Sequence, residues 1–496
     1  MPDFIPDEFI PDFSPNLLLD GLANYRGTIH DITLDLVVSA DDLRSGQEAL
    51  RRGMAERGMK PGDRVVVAVS NGPLFIAIWT AILACGGSPI PVHFETPIKE
   101  LRRTAARFNA GWVISDLWNE TQMENEEVKP FVLSCGWQQT VLGLWEGCKP
   151  EKFSDKMSCS LPGIPLHPTS GTTGSPKLAI RPIATAVAEI VNYVDTFGIS
   201  SSDTLLNVTP MCHAFGHGFC AVGPLVTGAS LVTMRKFQPR LVVEACQKFD
   251  ITILPAAAAV LDTLIFTAGK RLYSDSRKVF TGGGPVNSRT VKRYMESAGC
   301  SPRPLYGSTE AGGIAVVRAG GYALDGCVGQ PFENVEVEVR PAPEQDIPEG
   351  LGLIHVRSKS LMMGYLVHEQ IDTGALVDHW FNTGDIGHFA EEGRLVLGGR
   401  VAEVINVSGM KVLPREVEEV IKSVPGVVEV KVYPKKTRLG TNTVAAAVVA
   451  ESNVTVEMIR EYCERGLVYY KRPSRITLLE KLPKNTSGKV VKELLP

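Results

Sequence analysis

A chain of 496 residues is too long for one ordinary hydrophobic core, since single cores stop growing at roughly 250–300 residues, so two or more domains are expected. With 44% hydrophobic and 21% charged residues, the composition is that of a globular protein and argues against disordered, collagen-like and membrane classes. The formal charge of -4, with Lys and Arg spread along the chain, leaves no basic face for a polyanion, so nucleic acid is not expected as a partner.

In chain order, the first fifteen residues repeat Pro-Asp with Phe4, Phe9 and Phe13 between, a pattern that sustains neither helix nor paired strand and predicts an extended arm or loose tail. Acids and prolines stand where a secretory signal carries a basic residue and an apolar stretch, so a cytoplasmic location is expected. From there to about residue 330, short apolar runs alternate with helical patterns, as in Arg64–Ser70 then Leu74–Cys85, and Thr252–Pro255 then Ala257–Phe266. This alternation predicts βαβ units and largely parallel sheets. The run Leu74–Cys85, between Pro73 and Gly86, is about half of the ~20 residues a membrane span requires and reads as a buried helix. No membrane span is expected.

Residues 328–398 change to strand-like alternation in Val335–Arg340, Gly352–Arg357 and Arg394–Leu397, broken by Gly and Pro, which predicts a β-rich subdomain. The last segment, from about Val404, carries helix patterns at Pro414–Ser423 and Val456–Arg465 and strand patterns at Val427–Tyr433 and Val444–Val449, the makings of a small α+β domain. The ten cysteines include no C-x-x-C pair and no zinc-like spacing with histidine, so they read as reduced, mostly buried thiols.

The strongest local signal is Thr169-Ser170-Gly171-Thr172-Thr173-Gly174-Ser175-Pro176-Lys177, expected between a strand and the helical run that starts near Ala184. Backbone N–H groups and hydroxyls donate to phosphate oxygens, and lysine supplies charge. It is not the G-x-x-x-x-G-K-S/T loop. Taken alone it is equally a Gly/Ser/Thr-rich surface turn.

Together with three further segments, the loop resembles the first signature of the adenylate-forming superfamily, which includes acyl-CoA synthetases, firefly luciferase and peptide-synthetase adenylation domains. Tyr306-Gly307-Ser308-Thr309-Glu310, Phe381-Asn382-Thr383-Gly384-Asp385 and Pro483-Lys484-Asn485-Thr486-Ser487-Gly488-Lys489 resemble its second, third and fourth, in order. The resemblance runs from about residue 30 to the end. It implies an α/β fold, acetyl-CoA synthetase-like. A large N-terminal domain, 1–398, holds layered, mostly parallel sheets with helices plus the β-rich subdomain. A hinge at 399–403 leads to a small mobile α+β lid, 404–496.

The resemblance also implies roles. Carboxylate attack on the α-phosphate of ATP brings two anions together, so cations and donors must gather there. Lys489 corresponds to the lysine that contacts the substrate carboxylate and the α-phosphate, Thr309 to an α-phosphate donor, and Glu310 to the Mg2+ ligand. A bare Thr-Glu pair is otherwise a helix cap. Asp385 corresponds to the acid that takes both ribose hydroxyls, and Arg400 to an arginine that also meets the ribose. Where relatives carry Asp or Lys as pivot two residues on, this chain has Ala402 and then Glu403. His213 corresponds to a histidine between the acyl pocket and the pantetheine tunnel, whereas His217 has no such counterpart.

Gly282, Gly283 and Gly284, with Ala256–Ala259 and Gly312-Gly313, correspond to the acyl-pocket wall, though small residues serve tight packing equally. Ser408 and Gly409, in Val407–Lys411, resemble the loop of the thioester step. Lys435, Lys436 and Arg438, expected in a strand-to-strand loop, suit the 3′-phosphate of coenzyme A or an acidic carrier protein; a solvated loop is the plainer explanation. Between Val208 and Lys236, where relatives that activate amino acids place an Asp, there is no acid, so a free amino acid is disfavoured.

The expected activity is therefore an acid–CoA ligase using ATP, Mg2+ and coenzyme A on an apolar fatty, alicyclic or aromatic acid, as a monomer or homodimer. Two alternatives stay open. One loads a carrier-protein phosphopantetheine, and the other is a catalytically silent sensor of nucleotide or acyl-adenylate.

Overall fold

The computed structural model describes residues 16–124, 128–145, 163–169, 177–268, 272, 277–284, 288–318, 326–345, 347–367, 369–407, 410–436, 442–484 and 490–496. The chain forms two compact units, one of residues 1–337 and 356–381, the other of 338–355 and 382–496. The N-terminal arm and the phosphate-loop residues 170–176 lie outside the described residues.

In the first unit, Arg303–Ser308, Lys278–Thr281, Ile253–Ala256, Thr204–Asn207, Ser230–Thr233 and Ile29–Asp31 run side by side and parallel. Antiparallel strands flank them, Gly312–Val316 and Cys327–Pro331 on one side and Leu36–Val38 on the other. A second sheet has Ser88–Pro91, Arg64–Ala68 and Trp112–Ser115 in parallel, then Gln139–Trp145 and Val128–Ser134 as an antiparallel hairpin. A third, wholly antiparallel, has the order Gln370–Asp372, Gly364–Val367, Lys177–Ile180, Leu166–Thr169. The alternation of apolar runs and helical patterns thus becomes parallel sheet in the middle of the layers, as expected, with antiparallel strands at the margins.

Burial explains the apolar runs. Arg64–Ala68 is covered on both faces, as strands of a parallel sheet are, so it reads as a continuous run rather than an alternation. The run after Pro73 is the helix Pro73–Ala84, opened by proline at its first turn and buried from Pro73 to Leu83, which is why it is apolar all round. No helix among the described residues is long and apolar enough to cross a membrane.

In the second unit, Val427–Lys436, Asn442–Ala450 and Arg475–Leu478 form a three-stranded sheet. Helices Pro414–Lys422 and Val456–Gly466 contribute Val417, Ile421, Ile459 and Cys463 to a core shared with Val432, Val444 and Val448. A satellite core of Ala342, Ile347, Leu353, Ile386 and Leu413 ties 338–355 and the strand pair ending in Leu395–Arg400 to this unit. The compact division runs through the β-rich stretch expected at 328–398, and residues 399–403 lie inside the second unit.

Candidate active site

The two ends of the phosphate loop meet as a strand pair. Thr169 closes Leu166–Thr169 opposite Lys177, which opens Lys177–Ile180, and the Thr169 hydroxyl donates to the Lys177 carbonyl at 3.5 Å. The loop lies between a strand and the helix Ile183–Phe197, in line with the helical run expected near Ala184, and one short strand not anticipated from the sequence stands between loop and helix. In that strand, Lys177–Ile180, the side chains of Leu178, Ala179 and Ile180 are buried, and the helix follows Pro182. Ser170, Gly171, Thr172, Thr173 and Gly174 lie outside the described residues.

Lys177 reaches Glu310 by way of one aromatic ring. Its Nζ sits 4.8 Å from the ring centroid of Tyr365, and the Tyr365 hydroxyl donates to Glu310 Oε1 at 2.8 Å. Tyr365 lies on Gly364–Val367, paired antiparallel with Lys177–Ile180.

Glu310 and Thr309 occupy the turn between Arg303–Ser308 and Gly312–Val316, so the pair does not cap a helix. The strand bulges at Tyr306/Gly307, and a Cβ on Gly307 would stand 2.4 Å from the Gly312 carbonyl oxygen, a separation only glycine avoids. The Ser308 hydroxyl accepts from Ala311 N at 3.2 Å, a local turn of the kind serine supports. The segment before Tyr365 straps this turn down: Met362 N donates to the Glu310 carbonyl at 2.7 Å and the Ser360 hydroxyl to the Ala311 carbonyl at 2.7 Å.

Behind the turn, Arg181 and Glu189 form an ion pair at 2.9 Å with side chains only 3% and 4% exposed. The Tyr193 hydroxyl donates to Glu189 Oε1 at 2.6 Å, and Arg181 also donates to the Ser360 carbonyl at 3.3 Å. This cluster decides between the two readings of Gly312-Gly313. A Cβ on Gly312 would meet Glu189 Cδ at 2.6 Å, and one on Gly313 would meet the Tyr193 ring at 2.5 Å. These glycines admit the ion pair and the tyrosine and do not enlarge an acyl pocket.

Gly282, Gly283 and Gly284 follow the C-terminal end of the parallel strand Lys278–Thr281, the edge where open α/β sheets gather ligands. A Cβ on Gly282 would lie 3.1 Å from the Leu305 carbonyl oxygen and 3.6 Å from the Phe215 ring, whereas those on Gly283 and Gly284 would meet nothing within 4 Å. Ala256, in the neighbouring strand Ile253–Ala256, is fully buried.

The two histidines of the 210–217 stretch differ sharply. His213 is exposed and precedes the helical turn Ala214–Gly216, and its carbonyl accepts from His217 N at 2.7 Å. His217 opens a π-helical turn to Val222, a wide turn frequent near functional sites. It is buried among Trp79, His167 and Phe75, with ring centroids at 4.4, 5.1 and 6.1 Å. No described residue bonds its Nδ1. Burial first, and the Arg181 charge second, push its pKa down to about 3. Burial, with His217 and Arg181, likewise drives His167 well down.

The unfolded chain therefore takes up protons near pH 6.5 that the folded chain refuses until about pH 3. Stability is complete above pH 6.5 and falls as the pH drops below it, by up to ~1.4 kcal/mol per pH unit for each such histidine. Thermal melts between pH 7.5 and 5 should show this slope, and His217→Leu should flatten it. An unchanged slope would remove His217 as its cause.

In the second unit, Asp385 and Arg400 are cross-strand partners joined at 2.9 Å. The Asn382–Gly384 approach is a stretch of strand fixed by local side-chain bonds: Gly384 N donates to Asn382 Oδ1 at 2.9 Å, Asp385 N to the Thr383 hydroxyl at 3.1 Å, and that hydroxyl to the Ile354 carbonyl at 2.9 Å. Asp385 is buried and Arg400 exposed. Beside Ala402, Glu403 takes Lys492 at 2.6 Å and Lys431 at 3.8 Å. Burial alone would raise its carboxyl, yet Lys431 and Lys492 outweigh that and hold it below the usual carboxylate value.

Ser408, Gly409 and Lys489 lie outside the described residues, although Lys484 and Val490, which flank the last signature's end, pair antiparallel. The expected basic loop is corrected. Lys435 and Lys436 belong to the strand Val427–Lys436, opposite Thr443 and Asn442, and Arg438 is not described.

Sequence reasoning missed Tyr365 and the Arg181–Glu189 pair. No local pattern marks either; the one available signal was Tyr365 following Gly364 after an apolar Leu-Met-Met run.

Residues 38–366 match the family model for AMP-binding enzyme, and residues 416–489 match that for the AMP-binding enzyme C-terminal domain. The chain is 26% identical to 4-coumarate–CoA ligase CCL1 of Humulus lupulus, over 99% of this chain and 95% of that protein. It is 27% identical to 2-succinylbenzoate–CoA ligase of Bacillus mycoides, over 88% and 89% respectively. Among solved structures, the amide bond synthetase McbA from Marinactinospora thermotolerans superposes with a TM-score of 0.80 at 25% identity, over 97% and 98%. With the larger model spanning more than half its length, and all four signature segments in order, the chain belongs to the AMP-binding enzyme family, in the adenylate-forming superfamily of acyl-CoA synthetase-like proteins.

Proposed function

We propose that this chain is an ATP-dependent acid–CoA ligase that converts a carboxylic acid to its acyl-adenylate, with release of pyrophosphate, and then to the coenzyme A thioester. One observation carries the reading: the phosphate-loop lysine and the lone glutamate of the second signature meet on Tyr365, placing a cation and a carboxylate side by side as a triphosphate with a divalent ion requires. The names of the two ligase relatives support coenzyme A as acceptor. They also favour an aromatic acid among the apolar ones, in keeping with Phe215 beside Gly282.

The Glu310 donor set fits Mg2+. One carboxylate, its Oε1 taken by a neutral hydroxyl, suits an ion that keeps several waters and is otherwise held by phosphate oxygens. Such an ion supplies charge neutralisation across the phosphates. In this reading, Lys177 and the hydroxyls of 169–173 grip phosphate oxygens, Thr309 donates to the α-phosphate, and Tyr306, Gly307 and Ser308 border the nucleotide. Asp385, oriented by Arg400, takes the ribose hydroxyls. Lys489 lets carboxylate and α-phosphate approach, His213 faces the acyl and thiol side, and Ser408 with Gly409 admits the pantetheine arm. Residues 399–403 serve as hinge for a lid from 404.

Acid-dependent exchange of labelled pyrophosphate into ATP tests the first half-reaction. Aromatic and other apolar acids are expected to respond at least about tenfold above free amino acids, which would leave an ammonium unpaired in the site. An amino-acid preference would overturn the pocket argument, and no exchange with any acid would favour the silent sensor. The 25% likeness to an amide bond synthetase favours one second reading, in which a free amine takes the acyl group. Offering coenzyme A, a holo carrier protein and simple amines to the preformed adenylate separates the acceptors, with coenzyme A expected to win.

A further inference from the structure

We infer that Tyr365 is a positioning residue that keeps Lys177 and Glu310 close yet unpaired, orienting the carboxylate for a divalent ion and the ammonium for phosphate. The inference rests on the proposed role of Glu310 as the metal ligand.

A lysine and a glutamate that share one neighbouring side chain ordinarily close into an ion pair, which would spend both charges on each other. Here the ring stands between them. The ammonium lies over its face, 4.8 Å from the centroid, where the ring quadrupole attracts a cation without neutralising it. The carboxylate is held at the ring's hydroxyl, by a neutral donor at 2.8 Å on Oε1. A neutral donor fixes one oxygen and leaves the full negative charge on the group. No described residue bonds Oε2, which is the oxygen this arrangement presents to a cation.

The surroundings hold the ring in place. Strand alternation sends Leu366 into the core with Leu178 and Ile180, so Tyr365 points to the opposite face, where it is half-buried. Its cross-strand partner is Ala179, too small to cover the ring, and the vacancy is taken by Lys177, two residues along on the same face. The backbone on both sides is pinned. Met363 N donates to the Ile180 carbonyl at 2.9 Å and Met362 N to the Glu310 carbonyl at 2.7 Å, so one short segment sets the height of the ring above both charged groups.

Two substitutions separate the two contacts. Tyr365→Phe keeps the platform for Lys177 and removes only the hydroxyl, whereas Tyr365→Leu removes both. The probe is Mn2+ with the non-cleavable analogue α,β-methylene-ATP, followed by loss of the free Mn2+ EPR signal and, without metal, by calorimetric binding of the analogue. Tyr365→Phe should weaken Mn2+ about tenfold, the worth of a hydrogen bond to a charged group, and leave metal-free analogue binding unchanged. Tyr365→Leu should in addition weaken the metal-free analogue about three-fold. In turnover, the Mg2+ concentration for half-maximal rate should rise for Tyr365→Phe while kcat at saturating Mg2+ stays near wild type.

Glu310→Gln is the control. If it leaves Mn2+ affinity intact, the metal assignment itself fails. If it abolishes Mn2+ binding while both Tyr365 variants bind Mn2+ and analogue like wild type, the positioning role alone is overturned. Loss of affinity in Tyr365→Phe that merely tracks a lowered melting temperature also counts against it.

Discussion

Replacing Glu189 by glutamine is expected to lower the melting temperature by on the order of 10 °C. The substitution strands the Arg181 guanidinium in a site where both partners are almost wholly buried. Removing one partner of a buried ion pair costs about 3–5 kcal/mol, and in a domain of this size each kcal/mol moves the transition by roughly 2–4 °C. Relief by rearrangement is blocked, because the Glu189 side chain is packed against Gly312 and Gly218 and held by the Tyr193 hydroxyl. Joint replacement, Arg181→Met with Glu189→Leu, removes both charges and should recover most of the loss, since well-packed apolar pairs rival buried ion pairs. Calorimetric or circular-dichroism melts of the single and double variants check this. If the double variant melts no higher than the single one, packing rather than charge is what Glu189 provides.

Lys489→Ala is expected to slow acyl-adenylate formation by about 10²–10³-fold, the usual cost of deleting one preorganised group aimed at charge that develops in the transition state. Melting temperature is expected to stay near wild type, which separates lost chemistry from lost fold. In the proposed mechanism its charge serves the approach of two anionic oxygens at phosphorus, a step already complete in a supplied acyl-adenylate. Conversion of synthetic acyl-adenylate to thioester should therefore stay within a few-fold of wild type. Equal loss in both half-reactions would mean that Lys489 acts on something common to them, and loss in neither would remove it from the site.

How much of this was legible beforehand depended on the range of the interaction. The helix Pro73–Ala84 is recognisable because total burial writes an unbroken apolar run with proline at its head. Strand and helix patterns after residue 404 came through for a similar reason: one apolar face per element carries the periodicity. Lys177–Ile180 was missed, since four residues are too few to show a period.

Tyr365 was missed because its importance comes from pairing with a strand far away in sequence. Gly312-Gly313 looks the same in sequence whether it clears space for a ligand or for Glu189. Lys435 and Lys436 were read as loop because the expected strand pattern ended at Tyr433. The strand is an edge, where Pro434, with no partner for its missing N–H, is tolerated, and pairing continues through it. The four signatures were legible because chemistry on a phosphate demands particular residue types in a short space.

The wide turn from His217 to Val222 bears on how chains of this kind diverge. A π turn is an α-helix carrying one residue in excess, so losing a single residue there leaves a hydrogen-bonded helix intact. Everything on one side of the deletion is then rotated by about 100° against the other. Homologues that differ in length by one at this stretch will present a different side chain beside the Trp79–Phe75 stack, so an alignment gap here marks a re-aimed helix face.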